Sequence, residues 1–187
     1  MSNRLTDLSQ IETALWCELA SAAADRNHEW RTPVLATMSS DETGSASVDA
    51  RTIVLREVDI ENRQFQLYTD SRAQKVAQLS QEPQAMLVMW SRLLGWQLRC
   101  RIVCEVAEDG LVVSSHWTRI KLTSAAQDYL APLAPGEPIG AQPPVLAQRE
   151  HFALVTARVV EIDWLELHAD GHRRARFAGG KGSWVQP

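Results

Sequence analysis

The chain has 187 residues, of which 45% are hydrophobic and 22% are charged, a composition typical of a folded globular protein and not of a disordered one. The net charge of −4 disfavours a general nucleic-acid binder, and the longest apolar run, Ala85 to Trp90, is far shorter than the ~20 residues that cross a membrane. Because the N-terminal sequence lacks the apolar stretch of a signal peptide, we expect one cytoplasmic domain over 1–187, with a helical arm over 1–30 and a loose tail over 178–187.

The first predicted element is a helix over residues 7–24, because Leu8, Ile11, Leu15 and Leu19 recur at helical spacing. Thr6 or Asp7 can cap its start.

Strands follow over 34–39, 48–58 and 64–69, separated by turn-forming residues at 41–45 and 59–63. The pattern becomes helical over 71–79, where Ser71 and Gln74 fit a capping box.

The clearest strand of the chain is Trp96 to Val106, after a buried strand over 85–90. One of its faces is entirely apolar, and the other is mostly polar. Cys100 and Cys104 lie on the apolar face, so we interpret them as buried small residues and not as a redox pair.

The last third of the chain is predicted to hold a weakly patterned helix over 111–130, a proline-rich loop over 132–144 and strands over 152–167 and 172–177. His168 and His172 flank a turn sequence, so we expect no metal site there. Many strands with few helices between them predict a mainly β fold, an antiparallel sheet that closes into a barrel with flanking helices.

Two segments carry the first candidate site. Arg51 and Arg56 flank an apolar strand run, and they point to opposite faces unless a bulge intervenes. Lys75 lies in the first turn of a predicted helix, where a cation gains nothing from the helix dipole unless an anion binds nearby. A phosphate held by Arg51, Lys75 and the helix start is the specific hypothesis; solvated arginines and an incidental lysine are the alternative.

Two further groups of polar residues lie on predicted strands. Gln97, Arg99 and Arg101 share the polar face of the clearest strand, and a glutamine amide can both donate to and accept from a heterocycle. The run from His172 to Phe177, together with Trp164, can form an anion site. Ordinary solvated surface is the alternative for both groups.

The order RTIVLR, YTDSRAQK, the W…Q strand and a late RRARF resembles the pyridoxamine 5′-phosphate oxidase-like family of FMN-binding split barrels over about residues 30–177. This resemblance implies an antiparallel, Greek-key-like split barrel, a homodimer and FMN between the subunits. The cofactor-binding residues that it implies are Arg51, Thr52, Ile53, Val54, Leu55, Arg56, Tyr68, Thr69, Gln74, Lys75, Gln97, Arg176 and Trp164, with Leu165 as the alternative to Trp164.

The chain departs from the family pattern where the substrate is held. Gln74 replaces an arginine on the phosphate side, and Ser115 stands where a tyrosine is expected. Arg119, Thr123 and Arg174 are the remaining substrate candidates. FMN binding is therefore better supported than oxidation of pyridoxamine 5′-phosphate.

The resulting hypothesis is an FMN-dependent oxidoreductase acting on a small, phosphorylated or otherwise anionic molecule. The sequence shows no carboxylate pair, Ser/His/Asp set or Cys/His pair placed for acid–base or nucleophilic catalysis. A non-catalytic carrier or sensor that binds flavin or haem is the first alternative, and a barrel without a cofactor is the second.

Overall fold

The computed structural model describes residues 4–40, 44–140 and 151–187, so parts of the predicted turn over 41–45 and of the predicted loop over 132–144 lie outside the described residues. The described residues form three helices, nine strands and two 3₁₀ turns. In chain order these are α1 (Leu8–Ala24), a 3₁₀ turn (Glu29–Arg31), β1 (Val34–Ser40), β2 (Ala46–Thr52), β3 (Leu55–Asp59), β4 (Gln64–Asp70), α2 (Gln74–Gln81), β5 (Gln84–Ser91), β6 (Trp96–Ala107), α3 (Gly110–Ile120), a 3₁₀ turn (Ser124–Tyr129), β7 (Phe152–Glu166), β8 (Arg173–Ala178) and β9 (Lys181–Val185).

All nine strands belong to one antiparallel sheet whose main path is β2-β1-β5-β6-β7-β4-β3. Its two end strands, β2 and β3, are joined in the chain by only Ile53 and Val54. Since two residues cannot cross a flat sheet of seven strands, the sheet must curl until its edges meet. The predicted antiparallel barrel is therefore confirmed.

The barrel is split along β7. The first half of this strand pairs with β4, and the second half pairs with β8, which in turn pairs with β9. The change of neighbour coincides with a register shift on the β6 side, where Arg101 faces Glu161 and Ile102 faces Val159. Such a bulge bends a strand and increases its twist, which lets one long strand serve two parts of the sheet.

The core lies inside the barrel and beneath α1. Ile11, Leu15 and Leu19 of α1 are fully buried against it, as their spacing predicts. Trp30 and Trp164 are the largest fully buried side chains. The alternation of β6 is confirmed, because its apolar residues 98, 100, 102 and 104 are all buried.

Two predicted elements have different bounds in the structure. The strand expected over 48–58 is broken at Ile53, whose backbone N–H instead donates to the carbonyl of Pro33. The capping box at Ser71 is wrong, because α2 begins at Gln74 after Ala73, which offers no side-chain cap. The preceding turn is organised by Asp70, which accepts from the backbone and the guanidinium of Arg72.

The segment over 111–130 forms a helix followed by a 3₁₀ turn instead of one helix. The tail predicted to be loose contains β9, which pairs with β8, and the ring of Trp184 lies 6.3 Å from that of Trp164. No helix of the described residues is long and apolar enough to cross a membrane.

Candidate functional site

The predicted strand and helix-start motifs meet at one cavity of about 220 Å³, here called the first cavity. Its walls come from the β2–β3 junction, the end of β4, the start of α2 and the second 3₁₀ turn. Seven of the predicted cofactor-binding residues line it: Thr52, Ile53, Val54, Arg56, Tyr68, Thr69 and Lys75.

Arg56 reaches the first cavity because β3 contains a bulge. Leu55 pairs with Leu67 and Glu57 pairs with Gln66, so Arg56 is the extra residue between two normal pairs. Bulges often re-aim one side chain in this way. The guanidinium lies 5.6 Å from the centre of the Tyr68 ring, and its buried Nε has no hydrogen-bond partner among the described residues.

Lys75 supplies the second cation of the first cavity. Its Nζ donates to Thr69 Oγ1 at 3.0 Å, and no carboxylate of the described residues lies within ion-pair distance of it. Burial lowers the pKa of Lys75 and the positive charge of Arg51 lowers it further, while the more distant carboxylates of Asp70 and Asp49 offset part of this shift. A partly buried ammonium group without a carboxylate partner suits an anionic ligand.

Arg51 does not line the first cavity, because a polar network on β1, β2 and α2 holds it. Its guanidinium pairs with Asp49, and it donates to Thr37 Oγ1 at 2.5 Å and to Gln78 Oε1 at 2.9 Å. Gln78 is buried, one helical turn after Lys75, and its amide also donates to Asp49 Oδ2 at 3.2 Å. Arg51, one of the two cations predicted to hold a phosphate, is therefore already paired with a carboxylate of the chain.

The hydroxyl of Tyr68 belongs to a separate network behind the first cavity. It donates to Glu57 Oε1 at 2.7 Å and lies 2.9 Å from His116 Nδ1. Burial and the neighbouring Glu57 carboxylate raise the pKa of Tyr68, so the phenol stays protonated. Arg119, a predicted substrate residue, also contacts Glu57, at 3.3 Å, and lines no described cavity.

The other predicted residues lie away from the first cavity. The Thr123 hydroxyl donates to the carbonyl of Ile120, Leu55 is fully buried and Gln74 is exposed at the start of α2. The side chains of His168 and His172 accept backbone N–H groups within their turn.

A second group of predicted residues shares one sheet face of β6, β7 and β8. Gln97 faces Leu165, which faces Arg174, so the three lie in one row. Trp164 is fully buried on the opposite face, and of the two residues proposed for one flavin contact only Leu165 therefore shares the face of Gln97.

Beside that row, Arg99, Arg174 and Arg176 surround the buried carboxylate of Asp163, at 2.7, 2.8 and 3.3 Å. Burial alone raises the pKa of Asp163, but hydrogen bonds from Arg174 and Arg99 outweigh it and lower the pKa to about 2. Three guanidinium groups around one carboxylate leave this face positively charged.

Four residues that line the first cavity were not predicted: Asp70 at the end of β4, and Asp128, Tyr129 and Pro135. The last three belong to the second 3₁₀ turn and the loop after it, which are held by packing of Tyr129 against Phe152 on β7 and by hydrogen bonds from Arg72 to the carbonyls of residues 131–133. No local pattern of that weakly ordered sequence indicates a site.

The chain belongs to the family of pyridoxamine 5′-phosphate oxidase FMN-binding domains, whose sequence model matches residues 13–108, more than half of the chain. The matched region includes β1 to β6 and every predicted residue of the first cavity. A comparison with curated proteins gives no match.

Solved structures share the whole fold at low sequence identity. A pyridoxamine 5′-phosphate oxidase-related, FMN-binding protein from Nostoc punctiforme is 20% identical with a TM-score of 0.69, and the match covers 98% of this chain and 100% of that one. PhzG from Burkholderia lata, solved in complex with tetrahydrophenazine-1-carboxylic acid, is 19% identical with a TM-score of 0.75, covering 100% and 99%. These likenesses show that the fold is the split barrel of that family.

Proposed function

We propose that this protein binds FMN by its phosphate in the first cavity and is a flavin-dependent oxidoreductase. The observation that carries the proposal is the convergence of Lys75, the bulged Arg56 and the Thr69 hydroxyl at one cavity. Both cations there lack carboxylate partners among the described residues. A phosphate dianion would provide the negative charge that pairs with them. The membership in an FMN-binding family supports the choice of FMN over other phosphate esters.

We further propose that the complete site needs a second copy of the chain. The first cavity of about 220 Å³ is smaller than the ~300–1,000 Å³ of usual ligand pockets, so it suits the phosphate end of FMN and not the whole molecule. The row of Gln97, Leu165 and Arg174 lines no part of it. A two-fold copy could bring this row to the flavin ring, and the apolar groove of about 380 Å³ beside Met38, Val48 and Val160 is a surface for such contact.

The chemistry of this proposal divides between the cofactor and the chain. Bound FMN supplies the transfer of electrons, which no side chain of the site can perform alone. Lys75 and Arg56 neutralise the phosphate, and the backbone of Thr52–Val54 with Tyr68 forms the wall along which the rest of the molecule can lie. The cations around Asp163 would favour an anionic state of a flavin ring placed beside them.

The test is FMN affinity measured by quenching of flavin fluorescence. Lys75→Met should weaken FMN about 10- to 100-fold, because it removes one charge-assisted contact of about 1.5–3 kcal/mol. Riboflavin, which has no phosphate, should bind the native chain and Lys75→Met equally. Lys121→Met, at an exposed lysine outside the cavity, is the matched control. Equal FMN affinity of Lys75→Met and the native chain would show that the phosphate does not bind in this cavity.

A non-catalytic flavin carrier is the second candidate function, and the position of Arg119 favours it. This predicted substrate residue contacts Glu57 behind the cavity, and the Thr123 hydroxyl is used within its own turn. Reduction of the FMN-loaded protein by NADPH, followed by reoxidation in air, separates the candidates. Turnover supports the oxidoreductase, and a bound flavin that no donor reduces supports the carrier.

A further inference from the structure

A second cavity of about 350 Å³ shares Val54, Arg56 and Asp128 with the first one. It is lined by three arginines, Arg26, Arg31 and Arg56, and by the single carboxylate of Asp128. None of the three arginines forms an ion pair with a carboxylate in the part of the chain that the structure describes. The lining therefore carries an excess of two positive charges in a space large enough for a small organic ligand.

Two of the three arginines, Arg31 and Arg56, are held in place by the fold. Arg31 ends a 3₁₀ turn and donates to the backbone carbonyls of Ala22 and Ala23, at the C-terminal end of α1. A cation at that end of a helix is favoured by its dipole, which fixes the guanidinium at the cavity wall. The bulge in β3 places Arg56 in the lining of the same cavity.

Holding these cations together costs free energy in the absence of a ligand. The pKa of Arg31 is lowered first by burial and then by the positive charges of Arg56 and Arg26, and Asp25 offsets only part of this shift. The buried Nε of Arg56 lacks a hydrogen-bond partner among the described residues. An anion bound between the three guanidinium groups would relieve the repulsion between them.

We propose that the second cavity is the site for the carboxylate or phosphate group of the small molecule on which the flavin acts, with Arg26, Arg31 and Arg56 as its ligands and the Ser124 hydroxyl as a further donor. This proposal rests on the proposed function, because Arg56 then separates the substrate's anion from the FMN phosphate. It differs from the substrate site implied by the sequence resemblance, since Arg119 and Thr123 line neither cavity. The connection between α1 and β1 supplies Arg26 and Arg31 instead, and β3 supplies Arg56.

The test uses phenyl phosphate and benzoate as anionic probes and benzyl alcohol as the neutral one. Each is titrated into the FMN-loaded protein, and binding is read from the absorbance change of the flavin. The anions should bind saturably, more weakly at high salt, and the neutral probe should not. Whichever anion binds more tightly identifies the group that the cavity takes.

Arg26→Glu should weaken the anionic probe at least about tenfold, since Arg26 is exposed and its replacement leaves the core untouched. Arg31→Lys keeps the charge but loses the forked contact, and it should also weaken the probe. Arg92→Glu, at an exposed arginine that lines neither cavity, is the matched control and should bind the probe as the native chain does.

Anions that bind no better than benzyl alcohol, or that bind Arg26→Glu and Arg31→Lys unchanged, would overturn the second site while the FMN site stands. If the chain holds no FMN, the proposed function fails, and calorimetric titration of phenyl phosphate into the flavin-free chain decides the second site by itself.

Discussion

Asp49 is expected to weaken FMN binding, and Asp49→Asn to strengthen it about fivefold. The carboxylate pairs with Arg51, which lies close enough to Lys75 for its charge to lower the lysine pKa. A hydrogen bond from Gln78 lowers the pKa of Asp49, and Arg51 contributes to the same shift, so the carboxylate is ionised at neutral pH. It therefore offsets part of the positive charge that would attract a phosphate.

The magnitude follows from charge and exposure. Two unit charges 4 Å apart interact by about 1 kcal/mol in water and about 4 kcal/mol at a partly buried surface. The Asp49 side chain is 40% exposed and Arg51 is 20% exposed, so water screens most of the effect. A phosphate dianion beyond Arg51 lies farther than this from the Asp49 carboxylate, but it carries two charges. The repulsion between Asp49 and the phosphate is then about 1 kcal/mol, or roughly fivefold in affinity.

The assay compares FMN and riboflavin on the native chain and on Asp49→Asn. Asparagine keeps the size of the side chain and can still accept from the Gln78 amide, so the network should survive. FMN affinity should rise, and riboflavin affinity should not change. In an Arg51→Gln background the gain should persist, because the repulsion acts directly between the Asp49 carboxylate and the phosphate.

A weaker affinity for FMN in Asp49→Asn would refute this reasoning. It would show that Asp49 holds Arg51 in the binding position and that the pair acts as one unit. An equal gain for riboflavin would also refute it, since the phosphate would then play no part.

Three predictions concern stability and the networks around the site. Trp164→Ala should lower the free energy of unfolding by about 3–5 kcal/mol in urea titrations, because Trp164 is fully buried, while Trp90→Ala, 44% exposed, should cost far less. Because the pKa of Asp163 is lowered to about 2, the native protein should lose about 2 kcal/mol of stability as the pH falls from about 4 to 2, and Asp163→Asn should lack this loss. Tyr68→Phe should cost about 1 kcal/mol of stability but less than about twofold in FMN affinity, since the hydroxyl is bound to Glu57 behind the cavity; a large loss of affinity would place that hydroxyl at the ligand.

The sequence predicts elements well where one local pattern decides them. The helix α1 and the strand β6 each bury a regular set of side chains, and both were found within a few residues of their predicted bounds. The break between β2 and β3 has no such signal, because Ile53 and Val54 are as apolar as a continuous strand. It depends on the bond from Ile53 to the carbonyl of Pro33, a contact set by the curl of the sheet. The strand β9 depends in the same way on its pairing with β8.

The residues of the candidate site were likewise predictable only where a local motif carries them. Thr52 to Arg56, Tyr68, Thr69 and Lys75 were predicted together because two short motifs carry them all, and one turn of chain brings those motifs into contact. The pairing of Arg51 with Asp49 was not predicted, although the residues are only two apart, since strand parity alone gives no reason for the buried Gln78 to join them.

The grouping of the arginines of the second cavity could not be predicted from the sequence. Arg26 and Arg31 lie in a connection that has no motif, and their distance from Arg56 along the chain gives no hint that the three meet. Their meeting follows from the end of α1, which fixes Arg31, and from the bulge that fixes Arg56. The fold and the proposed cofactor site thus follow from short motifs, whereas the charge that would select a substrate depends on how one connection packs against one irregular strand. Chains with the same motifs but different residues in that connection should therefore bind the same cofactor and accept different substrates.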